Sequence, residues 1–266
     1  MPTEKQFDRR AFGLWMNFFD FPCVCRGIPL RCFWESGFEV RKAHDSMAGL
    51  TSARPTGSGD SNAAGRRLLH IPVIHSQAEM GSLSPTIQAI TVRKLGAKGW
   101  ERNVSLIDGI WTQIEQTIDR WSLPYEKVRL YQDGLPVCGR ELEIVSELAK
   151  AGSRNHQLLL RLKERGATLM GTESAGLLVQ EYNLSKQMLA ANDSATAARW
   201  ESRHQESSRS LLKRRDQAIA ERINHTLCRG EIGLLFLGML HSLERWLAQD
   251  IQVTHPLYPP SLGGHS

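Results

Sequence analysis

Four strand-length apolar runs in this chain each stop at a residue able to carry chemistry. Residues 68–75 (Leu-Leu-His-Ile-Pro-Val-Ile-His) close on His75, and the run over residues 230–241 closes on His241. A run of about 5–8 apolar residues fits a buried strand, and in an open α/β sheet the residues just past strand C-termini line the ligand crevice. Residues 126–133 stop at Asp133, followed by Gly134, and residues 166–173 stop at Glu173. Taken singly, each carboxylate is ordinary turn or cap chemistry, and Asp133 reads equally as a turn former or as a ligand or general base. If the four strands are neighbours, two imidazoles and two carboxylates share one sheet edge. That donor set suits a divalent metal ion, Zn²⁺, Mn²⁺ or Fe²⁺.

From Arg66 onward strand-like and helix-like segments alternate, which predicts an α/β fold with a mainly parallel sheet and helical connections. A helix is expected over residues 103–121, with Val104, Ile107, Trp111, Ile114 and Ile118 on one face. Two more are expected over 139–150 and 156–165, closed by Gly152 and Gly166, and another leads from Glu173 through Leu189. Residues 211–227 are strongly periodic, and the chain should finish with a strand over 231–240, a helix over 242–249 and a short strand over 251–253. The polar stretch 190–210 is either an exposed helix or an insertion over the site. Residues 1–65 stand apart, aromatic and cysteine-rich to about Val40 and then Gly/Ser/Pro/Ala-rich over 51–65. Such a composition buries too little apolar surface to offset its ordering entropy. The expected organisation is a poorly ordered N-terminal extension and linker over 1–65, then a single α/β domain over 66–266.

Composition narrows the class. A chain of 266 residues, 41% hydrophobic and 23% charged, is ordinary for a globular protein. The net charge of +5 is spread along the chain, and Arg9-Arg10, Arg66-Arg67 and Lys213-Arg214-Arg215 are too short for basic tails. They read as solvated faces, which ranks a nucleic-acid partner last. Five cysteines, an odd number, give no disulfide framework, and Cys23, Cys25 and Cys32 lack the paired C-x-x-C halves of a zinc knuckle. No run of about 18 uncharged apolar residues occurs. Arg9-Arg10 loosely echoes a twin-arginine export signal, but Asn17 and Asp20 interrupt the stretch behind it, so the expected location is cytoplasmic. No Gly-x-Ser-x-Gly elbow, Walker loop, His-Glu-x-x-His or dinucleotide fingerprint is present.

Around the candidate residues, Glu79 follows His75 by four positions but precedes Gly81, Ser84 and Pro85, which delay a helix and leave it on a loop. Arg215 and Asp216 read either as an exposed charged turn or as groups that orient a substrate anion and a ligating histidine. Gly238-Met-Leu-His241, Gly171-Thr-Glu173 and Arg214-Arg-Asp-Gln-Ala-Ile-Ala220 occur in the order seen in the TraB/PrgY/GumN group, and over residues 68–253 the chain resembles that group. Its wider relatives are the Tiki proteases, ChaN-like proteins and erythromycin-esterase-like enzymes, so the resemblance implies an EreA/ChaN-like fold. Pro72 stands where that group's early motif has glycine, and Asp216 where asparagine is usual.

The combined expectation is a metal-dependent hydrolase. His75, Glu173 and His241 would hold the ion, Asp133 or Glu79 would activate water, and Arg215 would steady developing negative charge. The resemblance to Tiki proteases implies peptide bonds and that to the esterase-like members ester bonds, in a small-molecule or peptide substrate. The alternative is a noncatalytic ligand-binding or regulatory protein on the same fold, holding iron or haem through one histidine.

Overall fold

Three strands alternate their buried side chains between two apolar layers, as the two-residue period of a strand requires. The computed structural model describes residues 65–189 and 194–257. The expectations for residues 1–64, including the linker, the paired arginines and Cys23, Cys25 and Cys32, lie outside the described residues. Strand β1 (Arg66–Val73) sends Leu69, Ile71 and Val73 to one layer and Leu68 to the other. Strand β2 (Val128–Gln132) divides Val128 and Leu130 from Tyr131, and β4 (Ile232–Gly238) divides Ile232, Leu234 and Phe236 from Leu235 and Leu237. Every residue of β4 is buried, as expected of a strand covered on both faces. With β3 (Thr168–Met170) and β5 (Ile251–Thr254) they form one five-stranded sheet in the order β3-β2-β4-β1-β5, all pairs parallel.

The helices supply the two covers. Helix α1 (Ser84–Asp119) accepts Pro85 in its first turn, where no amide hydrogen is needed, and is broken at Gly96, whose φ of 73° leaves the helical region. Of the apolar face read from the sequence, Trp111, Ile114 and Ile118 pack on the first layer together with Ile110, Ile107 is partly buried, and Val104 is exposed. Helices α2 (Glu141–Lys150) and α3 (Arg154–Glu164) join them through Val145, Leu158, Leu159 and Leu162. Gly152 and Gly166 do close these helices, at φ 97° and 113°, left-handed positions that cost glycine nothing. Helix α4 (Ala175–Leu189) packs against α5 (Ser194–Thr226), and α5 covers the second layer with Ile219, Ile223 and Leu227. Residues 194–210 are thus the first half of one long helix.

Two expectations are corrected at the C-terminal end. The last long strand stops at Gly238, before Leu240, because the chain turns there and the His241 amide donates to the Gly238 carbonyl at 3.2 Å. Residues 242–249 hold only a short 3₁₀ turn, Glu244–Trp246, which leads directly into β5.

Because all strands are parallel, their C-terminal ends share one edge. The chain leaving β1 passes β4 to reach β2, and the chain leaving β4 passes β1 to reach β5. Neighbouring strands whose onward connections run in opposite directions mark the switch point at which open α/β sheets bind ligands. His75 and His241 follow these two strands.

Gly233 tests the packing. A Cβ there would lie 2.6 Å from Leu68 Cδ1 and 3.3 Å from Tyr131 Cε2, both on buried side chains. Gly233→Val should destabilise the fold by about 1–3 kcal/mol, the usual range for overpacking. The expected reading is a lowered urea midpoint with an unchanged slope; an unchanged midpoint would mean the core yields freely there.

Candidate functional site

His75 is held from two sides. Trp111 Nε1 donates to the Ile74 carbonyl at 2.9 Å, fixing the backbone just before it, and His75 Nδ1 lies 2.7 Å from Glu79 Oε2. Glu79 stands on a 3₁₀ turn, Gln77–Leu83, which brings the i,i+4 pair together ahead of the helix proper. Its Oε2 also accepts from the Ser76 amide at 3.2 Å, and its Oε1 accepts from the Ser153 hydroxyl. A serine has one hydroxyl proton, so with that proton given to Glu79 the bond at 2.7 Å between Ser153 Oγ and His156 Nδ1 must be donated by the imidazole. Burial acts to raise the Glu79 carboxyl, but His75, His156 and Ser153 hold it below its usual range. Burial pushes His156 down to about 4.

His241 is built in the same way. Its Nδ1 lies 2.5 Å from Asp216 Oδ1, and the Ser242 amide donates to Asp216 Oδ2 at 3.2 Å. In each ring Nδ1–H therefore donates to a carboxylate, which turns Nε2 inward. Neither Nε2 has a hydrogen-bond partner, and each lies 3.8 Å from the same atom, Asp133 Oδ2. The Gly238 amide donates to that oxygen at 3.0 Å. Burial opposes charge on His75, but Asp133 and Glu79 outweigh it and carry its pKa up to about 10. His241 is raised as well, against burial, by Asp133 and Asp216.

Arg215 closes the cluster from α5. Its Nε donates to Glu173 Oε2 at 2.7 Å, Nη1 to both oxygens of Glu181 at 2.7 and 2.6 Å, and Nη2 to Asp133 Oδ1 at 2.9 Å and Glu173 Oε1 at 2.8 Å. A guanidinium has five N–H donors, and all are committed to these three carboxylates. Glu173 is further fixed by the Gly134 amide, which donates to Oε1 at 2.6 Å. Gly171 is required beside it, since a Cβ would come within 2.8 Å of the Pro136 carbonyl oxygen and Val137 Cα, backbone atoms that cannot step aside. Burial raises Glu181 to about 7, opposed by the charge of Arg215 and helped by those of Glu173 and Asp133.

The four strand-end residues read from the sequence thus meet at one edge, in arrangements that differ from those expected. Asp133 stands between the two histidines. Glu173 spends its oxygens on Arg215 and Gly134. Glu79 has both oxygens engaged, Oε2 by His75 and the Ser76 amide and Oε1 by Ser153, and so orients His75. Arg215 and Asp216 sit buried within α5, not on an exposed turn, and Arg215 has no donor left for a substrate anion. Ser153, His156 and Glu181 were missed by sequence reasoning. Ser153 had a signal as the residue capping α3, where its side chain accepts from the His156 amide; Glu181, inside an ordinary helix, had none.

A cavity of about 130 Å³ opens beside His75, lined by Trp100, Val104, Ile107 and Trp111 among others. Elsewhere, His70, Glu244 and His255 are the one set of three among the described residues whose potential ligand atoms all lie within 4.8 Å of one another; His75, Asp133 and His241 are more widely spread. No helix searched among the described residues is long and apolar enough to cross a membrane. No protein-family model, curated protein or solved structure matches this chain.

The buried, neutral His156 generates a pH prediction. Its folded pKa of about 4 lies below the ordinary 6.5, so between these values the unfolded chain binds a proton that the native state refuses. The stability it permits is complete above about pH 6.5 and is lost as pH falls toward about 4. His156→Gln should flatten this limb by up to one proton, measured as denaturant midpoints from about pH 7 to about pH 4.5. An unaltered slope would show that His156 titrates normally.

Proposed function

We propose that this protein is a metal-dependent hydrolase of peptide or ester bonds, with a divalent ion held by Nε2 of His75, Nε2 of His241 and the carboxylate of Asp133. One observation carries the reading: two buried Nε2 atoms without partners face one carboxylate oxygen at 3.8 Å, each with its Nδ1 tied to another carboxylate. A carboxylate on Nδ1 is the usual support of a metal-binding histidine, since it sets the tautomer and raises ligand basicity. Charge points the same way. Asp133, Glu173 and Glu181 share the one guanidinium of Arg215, and Glu79 and Asp216 back the two imidazoles, so once the imidazoles release their protons the surplus negative charge favours a cation between them.

A bound divalent ion would lower the pKa of its water toward about 7, making hydroxide available at neutral pH. The chain's own residues prepare for this. Glu79 and Asp216 keep the Nδ1 protons, so that each Nε2 lone pair faces inward. Against its burial, Asp133 is held ionised by His241 and His75 before the ion binds and by Arg215 throughout. Arg215 holds Asp133 and Glu173 at fixed positions and leaves charge on the substrate to other groups. The apolar walls of the cavity beside His75 would take an uncharged side chain next to the scissile bond. Glu173, the third ligand expected from the sequence, acts in this reading as the anchor of Arg215. We extend the proposal to kinship with the TraB/PrgY/GumN group and its EreA/ChaN-like fold, supported by the placement of Gly238-Met-Leu-His241 and Gly171-Thr-Glu173 at the sheet edge.

A second reading, a metal-binding regulatory protein without turnover, is favoured by the burial of the cluster: His75, Asp133 and His241 are 3%, 1% and 7% exposed.

Metal analysis and a substrate screen with and without chelator test the proposal. Protons leave the imidazoles when the ion binds, so affinity should rise with pH and titration calorimetry should show proton release into the buffer. His75→Gln and His241→Gln should each weaken binding and hydrolysis by about tenfold or more. Hydrolysis that survives both chelation and these substitutions would sink the reading; metal binding lost by the variants with no substrate turned over by the wild type would favour the regulatory one.

A further inference from the structure

His70 lies in the middle of β1, on the face of the sheet covered by α5, and its side chain is buried at 8% residue exposure. A histidine inside a central strand needs a use for both ring nitrogens, yet Nε2 has no hydrogen-bond partner. Two residues distant in sequence converge on it. His255, just past β5, tilts its ring at 58° to that of His70 with centroids 5.0 Å apart, and Glu244, on the turn after β4, places Oε1 3.7 Å from His255 Nε2. One ligand atom from each of the three residues falls within 4.8 Å of the others. Ligands of a tetrahedral zinc ion, bound at about 2.0–2.2 Å, stand roughly 3.3 Å apart, so a small closure of the two outer side chains completes the set.

We propose that His70, Glu244 and His255 form a second divalent-ion site of the zinc class, separate from the His75/His241 cluster, which clamps the C-terminal strand to the centre of the sheet. The donor chemistry is specific: two imidazoles and one carboxylate suit a borderline ion such as Zn²⁺ and not Mg²⁺ or Ca²⁺, which take oxygen. The exposures are graded for entry. His70 is the buried anchor, while the side chains of His255 and Glu244, 37% and 50% exposed, face the approach and leave the fourth position to water. The mechanical consequence follows from topology, because β5 is an edge strand paired with β1 over four residues, and Glu244 and His255 bracket it in sequence.

Equilibrium dialysis of the full chain with Zn²⁺, followed by thermal melts, decides the matter, with Co²⁺ absorption reporting the ligand field. Wild type should bind zinc and melt at a higher temperature with it. Glu244→Gln and His255→Gln, both at partly exposed positions, should each weaken one zinc component by about tenfold or more and remove its thermal shift. His70→Gln should do the same, and where its burial keeps it from folding the two partly exposed variants decide. Zinc binding and melting equal to wild type in both Glu244→Gln and His255→Gln would overturn the proposal. Failure of the His75/His241 reading shows separately, as zinc binding unaltered by His75→Gln.

Discussion

The buried guanidinium of Arg215 is the contact on which the site depends. It reaches from α5 to Asp133 after β2, Glu173 after β3 and Glu181 in α4, so four segments meet at one planar group. Lysine, with a compact charge and three donors, could not replace this fork. Removing one member of a buried ion pair typically costs about 3–5 kcal/mol, because the remaining charge stays out of water without compensation. The carboxylates are therefore held where they are by a cation that is itself inaccessible, and the direction of Asp133 toward the histidines follows.

Around that anchor, rigidity is passed outward through hydrogen bonds. Thr172 and Glu173 amides donate to the Leu135 carbonyl, and the Val137 amide returns a bond to the Glu173 carbonyl, so the loops after β2 and β3 continue the sheet beyond its strands. The Asp133 amide donates to the Phe236 carbonyl at 2.8 Å, extending the β2–β4 ladder by one residue. On the other side, the Ser153 hydroxyl at the head of α3 fastens Glu79, which fastens His75. Each imidazole is thus positioned by a carboxylate that is itself held by a second donor, the arrangement that keeps a ligand from rotating.

The two faces of the sheet carry different work. The face under α1, α2 and α3 is the larger apolar layer and includes the Trp111 contact that fixes Ile74. The face under α5 is smaller and contains His70 within it, a polar group in a layer otherwise made by Leu68, Leu235 and Leu237. A buried imidazole in such surroundings is costly unless both nitrogens are used.

What the sequence determined by itself is the class of fold and the positions of the chemical groups along it. Runs ending at His75, Asp133, Glu173 and His241 read as strands, and the helical segments between them make the strands parallel with their C-terminal ends together, although β3 itself is half exposed. Gly152 and Gly166 marked helix ends for the same local reason, a left-handed backbone. Which side chain faces which could not be read this way. Strand order depends on the crossing of connections, and the order β3-β2-β4-β1-β5 brings Asp133 to both histidines with Glu173 on the far side of it. The commitment of all five Arg215 donors, the turning of each Nε2 toward Asp133 and the meeting of His70 with Glu244 and His255 are long-range contacts that no spacing encodes. The short 3₁₀ turn at Glu244–Trp246 stands in place of an expected helix, in the connection that carries the chain past β1 to β5.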